Sequence, residues 1–296
     1  MQQIIVFFQV VECRGFAKAG VCLHMTQSAV SKSIQKMEQN LHITLFSRTT
    51  RKLELTEAGD FLYKEWKPHF EAIQAGYQKA LDIQKNNIST LHIGLLNTAR
   101  PDRYFWEIQQ NFQLVWPEIS LNLESEYMTD LIESLASGFY DAVMVPDFER
   151  FTVSSHSLVW KWAARSNARL IVPEGHPLSE KGSVHMQEIL EYDFISLHGA
   201  ETSDYLRDLS ERFSPYHTVP KITCHFTNAY DIKYLYRPEG YLIFTDKFFD
   251  MTEENNYTNI PIDDEYNGII CAYSPENKNI NLKHFLDALP EFPNIQ

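Results

Sequence analysis

No apolar run in this 296-residue chain reaches the ~18 residues that cross a bilayer, so no transmembrane helix is expected. The start, Met1-Gln2-Gln3-Ile4-Ile5, has neither a basic n-region nor a small-residue cleavage site, so no signal peptide is expected. Glycine and proline are scarce, 11 and 13 residues, which excludes collagen-like and linker-rich chains. The four cysteines (Cys13, Cys22, Cys224, Cys271) form no CxxC and no dense framework, so a reducing cytoplasm is the expected compartment. Cys224 and Cys271, 47 positions apart, give no sequence support for a redox pair. GxGxxG, Walker, HExxH and GxSxG motifs are missing, and His176 and His185 lack a partner at metal spacing. No catalytic residues, cofactor or metal are therefore expected.

What is present is a globular composition, 44% hydrophobic and 22% charged, at a length that suggests two domains or three small ones. The net charge of −13 divides unevenly: residues 1–87 carry +3, residues 88–296 carry −16. A mildly basic head on a strongly acidic body suggests that the head faces nucleic acid.

Ile4, Phe7, Phe8 and Val11 fall at i, i+3, i+4 and i+7, one face of a first helix that Gly15 ends. Phe16–Leu23 reads as a short second helix in which Gly20, a poor helix former, predicts close contact or local softness. Thr26 is a suitable N-cap for a third helix over Gln27–Asn40, with Ala29, Val30, Ile34, Met37 and Leu41 inward. Its outward residues are Gln27, Ser28, Ser31, Lys32, Gln35 and Lys36. All can donate hydrogen bonds and none is acidic, as a reader of base edges requires. Such a face also suits a solvated helix. Leu45–Thr56 reads as a β-hairpin whose tip carries Arg48, Thr50, Arg51 and Lys52 toward phosphates.

Phe16-Ala17-Lys18-Ala19, Thr26–Glu38, Leu45-Phe46-Ser47-Arg48 and Leu55-Thr56-Glu57-Ala58-Gly59 together resemble the winged head of LysR-type transcriptional regulators. Gly20 departs from the family's usual alanine and Ser28 from its frequent proline. The resemblance implies base contacts from Gln27, Ser28, Ser31, Lys32 and Gln35, and phosphate contacts from Thr26, Lys36, Arg48, Thr50, Arg51 and Lys52. It implies double-stranded DNA as a partner, with RNA polymerase as a further candidate.

Thr56 can cap a long helix from Glu57 to Gln84 with a seam of Leu62, Trp66, Phe70, Ile73, Tyr77 and Leu81. The seam suits pairing with a second chain, or one helix packed on its own body. The family implies an antiparallel dimer, often a tetramer. Pro68 removes a helical hydrogen bond to Lys64 and predicts a bend.

From Leu91 strands and helices alternate, which predicts a mainly parallel sheet. Trp116-Pro117-Glu118-Ile119, Gly138-Phe139-Tyr140-Asp141 and Gly175-His176-Pro177-Leu178 loosely resemble the family's effector domain, whereas Tyr236–Gly240 departs from it. That domain implies two periplasmic-binding-protein-like α/β lobes, joined by two crossovers around one cleft. The expected organisation is an α/β chain with a winged helix-turn-helix at 1–58 and a linker helix at 59–87. Subdomain I comprises 88–163 and 267–296, and subdomain II comprises 164–266. Ligands of open α/β sheets lie beyond the carboxyl ends of the strands. That rule places Asn97, Thr98, Arg100, Tyr127, Met128, Thr129, Ser196, Leu197 and His198 at the cleft, with Asn228 and Thr245 opposite. Caps ahead of helix starts favour a small organic anion as effector. The alternative is a constitutive regulator or interaction scaffold whose cleft no longer binds a ligand.

Overall fold

In the computed structural model, residues 2–48, 53–84, 90–97, 99–197, 204–226, 242–248 and 257–292 are described. They form two compact units, Met1–Gly76 and Tyr77–Gln296.

The first unit begins with α1 (Gln2–Glu12), α2 (Phe16–Cys22) and α3 (Gln27–Leu41). The wing strands β1 (Phe46–Arg48) and β2 (Leu53–Leu55) pair antiparallel, and α4 (Glu57–Gln84) follows. The buried stripe of α1 is Val6, Phe7, Phe8 and Val10, while Ile4 and Val11 are only partly covered. At Gly20 a Cβ would lie 2.7 Å from the Met25 carbonyl oxygen, so the glycine serves close contact with the following turn rather than softness. Thr56 caps α4 as its spacing predicts, its Oγ1 accepting from the Gly59 N–H at 2.9 Å and donating to the Thr44 carbonyl at 2.6 Å. Gly59 must be glycine, because a Cβ there would overlap the Leu45 carbonyl.

The seam of α4 is not one continuous surface. Phe70 is buried in the core of its own head, 5.3 Å from Phe8 between ring centroids, and Leu62 and Trp66 pack on the same core. Phe8 of α1 provides the surface that Phe70 covers, so Phe70 is not open to a second chain as expected, whereas Leu62 and Trp66 are half-buried. Ile73 and Tyr77 remain 53% and 66% exposed. The side chain of Leu81 lies outside the described residues. Pro68 stands inside α4 without ending it.

The second unit is built from β3 (Thr90–Leu96), α5 (Phe105–Val115), β4 (Ser120–Glu126), α6 (Met128–Ala136), β5 (Ala142–Pro146) and α7 (Arg150–Ser155). Then come β6 (Val159–Pro173), β7 (Asp193–Leu197), α8 (Asp204–Phe213), β8 (Lys221–Phe226), β9 (Ile243–Thr245), β10 (Tyr257–Tyr273) and α9 (Ile280–Asp287). The six-stranded sheet has the order β4-β3-β5-β10-β6-β9. Only β4, β3 and β5 run parallel; β10 is antiparallel to both β5 and β6, and β9 to β6. The expected mainly parallel sheet is therefore mixed. The reason is that both crossovers are strands, and they pair with each other from Tyr257↔Pro173 to Tyr273↔Val159, with a break between Pro261 and Tyr266. A second, two-stranded sheet pairs β7 and β8 in parallel.

Two apolar cores flank this ribbon. One holds Leu91, Ile93, Phe105, Phe112, Val143 and Phe285, the other Leu170, Val172, Phe194, Leu209, Phe213 and Ile262. Phe248, placed by sequence in the second lobe, packs in the first core, 5.7 Å from Tyr104. Asp141 ties the first lobe together: its carboxylate accepts from the His92 N–H and from the side-chain amides of Asn277 and Asn279, each at 3.0 Å. This one buried acid joins β3 and the start of β5 to the α9 cap, and charge-assisted bonds of this kind are worth ~1.5–3 kcal/mol each. Asn279 is the N-cap of α9, its side chain accepting from the Asn281 N–H at 3.2 Å.

Candidate nucleic-acid interface and interlobe cleft

The two faces of α3 separate by helical period. Val30, Ile34 and Met37 are buried, whereas Gln27, Ser28, Lys32, Gln35 and Lys36 are exposed and Ser31 is half-buried. Thr26 sets the helix start, its Oγ1 accepting from the Ala29 N–H at 3.2 Å and lying 3.0 Å from the Ser28 hydroxyl. Glu38, an acid on the same helix, is taken up by the wing. Its Oε1 accepts from the Leu45 N–H at 2.7 Å and the Phe46 N–H at 3.2 Å. The carboxylate thus fixes the wing strand to α3, and the exposed face keeps only donors and cations, as phosphates and base edges require. Arg48 ends β1, but its side chain and all of Thr50, Arg51 and Lys52 lie outside the described residues.

In the second unit the ends of β3 and β4 meet through Asn97, whose N–H donates to the Glu126 carbonyl at 3.0 Å. Arg100 follows. Its backbone N–H donates to the Phe248 carbonyl at 2.9 Å, and Arg103 Nη1 donates to the Lys247 carbonyl at 2.9 Å. The last two bonds hold Arg100 and Arg103 against Lys247 and Phe248, just after Thr245. The guanidinium of Arg100 is engaged by Asp102 at 3.1 and 3.2 Å, and that hydrogen bond holds the Asp102 carboxyl below its ordinary range. Tyr127, 69% exposed, is the N-cap of α6, and Met128 is its first residue. Thr129 is therefore inside the helix and not its cap, and its side chain lies outside the described residues.

Ser196, expected at the cleft, is fully buried in β7. Thr245 is half-buried, and its carbonyl accepts from Asn267 Nδ2 at 2.7 Å. Leu197 ends β7 with its side chain outside the described residues, as are Thr98, His198 and Asn228 entirely. Among the described residues no group of three or more His, Cys, Asp or Glu side chains could hold a metal ion. In the Gly175–Leu178 turn, His176 Nδ1 accepts from the Leu178 N–H at 3.2 Å, and burial lowers its proton affinity.

Sequence reading missed the strongest polar cluster of this unit. Arg212 on α8 donates to Asp208 at 2.7 Å, to Glu265 at 2.9 Å, to the Tyr266 carbonyl at 2.7 Å and to Asp147 at 3.1 Å. Arg150 donates to Asp208 at 2.6 Å and Glu211 at 3.0 Å, while Asp204 accepts from the Thr152 N–H and hydroxyl at 2.8 and 2.6 Å. Burial works against the charge of Arg212, but Asp208 and Asp147 outweigh it and hold the guanidinium protonated above its ordinary value. Asp147 leaves the carboxyl end of β5, α8 packs in the second core, and Glu265 lies in the β10 break, so the cluster joins both lobes. The i,i+4 spacing of Asp208 and Arg212 was the only local signal for it.

Beside this cluster, burial and then the charge of Asp204 push the Glu149 carboxyl up to about 7. A raised folded value means that the native state holds the proton more tightly than the unfolded chain. Its contribution is favourable at acid pH and is lost as pH rises from about 4.5 to about 7. Glu149→Gln, neutral at every pH, should melt with the parent at pH ~5 and several degrees above it at pH ~8. Thermal melts of the full chain at both values are the check, and an equal shift at both would reject the assignment.

Residues 1–60 match the family model described as bacterial regulatory helix-turn-helix protein, lysR family, and residues 85–287 match the LysR substrate binding domain. The chain is 33% identical over 139 residues to the uncharacterized HTH-type transcriptional regulator YcaN of Escherichia coli K12, covering 47% of this chain and 45% of that protein. It is 25% identical over 191 residues to the regulatory protein NocR of Agrobacterium tumefaciens T37, covering 64% and 61%. The matched stretches thus span between about half and three-fifths of these relatives. CbnR, a LysR family transcriptional regulator, shares the fold with a TM-score of 0.64 at 16% identity, over 97% of this chain and 96% of that one. Full-length CbnR complexed with its target DNA gives 0.63 at 16% identity, over 97% and 98%. With a LysR head model matched at the N-terminus and a LysR substrate-binding model over most of the remainder, the chain belongs to the LysR family of bacterial regulatory helix-turn-helix proteins.

Proposed function

We propose that the chain is a DNA-binding transcriptional regulator that reads its operator through α3 and responds to a small organic anion between its lobes. The observation that carries the first half is the division of α3: donors and cations outward, apolar residues inward, and Glu38 turned into the wing. The family is regulatory, and its members' activity supports a binding role rather than a catalytic one. Base contacts are assigned to Gln27, Ser28, Ser31, Lys32 and Gln35, and phosphate contacts to Thr26 and Lys36. Lys32→Ala should weaken operator binding by ~1–3 kcal/mol if its ammonium reads a base. A gel-shift titration on a selected operator is the measurement, and an unchanged midpoint would remove Lys32 from the interface.

Self-association is assigned to the exposed end of the α4 seam. Ile73 and Tyr77 present large apolar surface on a helix whose preceding seam residues pack on the head core, Phe70 fully and Leu62 and Trp66 in part. Ile73→Glu combined with Tyr77→Glu should sediment as a monomer while the head keeps its melting temperature, because neither residue supports the head core. Sedimentation identical to the parent's would place the interface elsewhere.

The effector is assigned to the edge formed by Asn97, Arg100, Tyr127 and the segment after Thr245. Backbone N–H groups at the start of α6 and the guanidinium of Arg100 favour a carboxylate there. The body's −16 charge opposes this only at range, since the screening length is ~8 Å at ~0.15 M salt. The second reading, a constitutive regulator, has its own support. Arg100 is engaged by Asp102, Ser196 is enclosed, and the Arg212 cluster already ties the lobes. Thermal-shift screening of the full chain against small metabolites separates the two. A carboxylate near 100 times its dissociation constant adds ~2.7 kcal/mol. Shifts from neutral or cationic compounds alone would overturn the anion assignment, and no shift from any would favour the constitutive reading.

A further inference from the structure

We propose that Cys13 and Cys22 form a reversible intramolecular disulfide, an oxidant-sensitive site in the head directly ahead of the DNA-reading helix. Cys13 follows the end of α1 and Cys22 is the last residue of α2, and the two Sγ atoms stand 3.5 Å apart. Arg14, in the left-handed region at φ 50°, and Gly15 turn the chain between α1 and α2, so that α2 brings Cys22 back beside Cys13. Closure to the ~2.0 Å of a disulfide asks the sulfurs to approach by roughly 1.5 Å. Cys22 is exposed and Cys13 half-buried, so a small oxidant reaches the pair. By contrast Cys271 is sealed in the first core, where burial pushes its thiol up to about 12.

The two sulfurs have different parts. Gln9 Nε2 donates to Cys13 Sγ at 3.3 Å. The hydrogen bond with Cys13 holds the Cys22 thiol above its ordinary value. With the Gln9 donor on it, Cys13 is the attacking sulfur of the step. With hydrogen peroxide as oxidant, the Cys13 thiolate attacks one peroxide oxygen and the O–O bond breaks. The departing hydroxide takes a proton and leaves as water, and Cys13 becomes a sulfenic acid. The Cys22 sulfur then attacks the sulfenic sulfur. The S–S bond forms, the S–O bond breaks, and the hydroxide leaves as a second water with the Cys22 proton. Two thiols are oxidised and one peroxide is reduced to two waters. A small dithiol reverses the step by exchange, as suits a transient cytosolic disulfide.

The link has a path to α3. Met25 N–H donates to the Gly20 carbonyl at 2.8 Å, and Gly20 has no room for a side chain against Met25. The last turn of α2 is thus fastened to the turn that carries Thr26, the cap of α3. Drawing Cys22 toward α1 moves that cap, and the oxidised head should bind DNA less tightly.

The test uses the full chain, treated with a slight excess of hydrogen peroxide, alkylated and digested with trypsin. Cleavage after Arg14, Lys18 and Lys32 leaves the disulfide joining residues 1–14 to residues 19–32, a link that dithiothreitol removes. The link should form in the parent and in Cys224→Ser, and be lost in Cys13→Ser and in Cys22→Ser. Fluorescence anisotropy with a random-sequence duplex of about 40 base pairs should show an affinity about fivefold lower for the oxidised parent and an unaltered one for peroxide-treated Cys22→Ser. Cross-linked dimers through Cys22, or sulfinic acid without a link, would overturn the disulfide. A link with unchanged DNA affinity would overturn the switch.

Discussion

A buried guanidinium governs the second unit. Arg212 satisfies its donors on Asp208, Glu265, Asp147 and the Tyr266 carbonyl, and these groups come from α8, β10 and the end of β5. Losing one member of such a cluster costs ~3–5 kcal/mol, because the remaining charge is left unpaired away from water. The arrangement therefore works as a geometric specification as much as a source of stability. The four acceptors converge on one side chain and so tie the lobes in addition to the β6–β10 ribbon. Arg150 and the Thr152–Asp204 pair extend the same constraint along α7, so the helix after β5 is registered against α8.

The head solves a different problem with the same economy. On the proposed reading, a helix that presents cations and donors to a polyanion cannot also carry a free acid on that face. Glu38 is turned to the start of the wing, where it accepts from two backbone N–H groups. The negative charge that would otherwise stand among the exposed donors becomes the bond that holds the wing to the helix. The first half of α4 closes the core of this unit with Phe70, and the helix is thus fixed at one end before its exposed apolar positions begin.

Legibility in the sequence follows the range of the interaction. Thr26 and Thr56 were readable as caps because a cap acts over three residues, and both accept the expected N–H. The polar face of α3 was readable from its 3.6-residue period. Phe70 was misassigned because a seam of apolar residues looks the same whether a partner chain or the chain's own α1 covers it. The mixed sheet escaped because strand direction depends on which distant segment pairs, and β6 and β10 lie about 100 residues apart. Thr129 looked like a cap on composition alone, yet the extended residue before the helix is Tyr127. Arg212 and Asp147 are 65 positions apart in sequence, and no local pattern announces their contact.

The paired crossovers set how force travels through this body. Two separate tethers would let the lobes swing on independent pivots. A hydrogen-bonded two-strand ribbon instead resists sliding, since any slip breaks every rung at once. Between Pro261 and Tyr266 the rungs to β6 are missing; there Ile262 bridges Val184, the Asp263 N–H donates to the Val184 carbonyl at 2.8 Å, and the Glu265 carboxylate sits on Arg212. The gap in the ribbon is thus closed from outside it, by Val184 and by Arg212, so a twist of one lobe is shared between a backbone bridge and an ion pair.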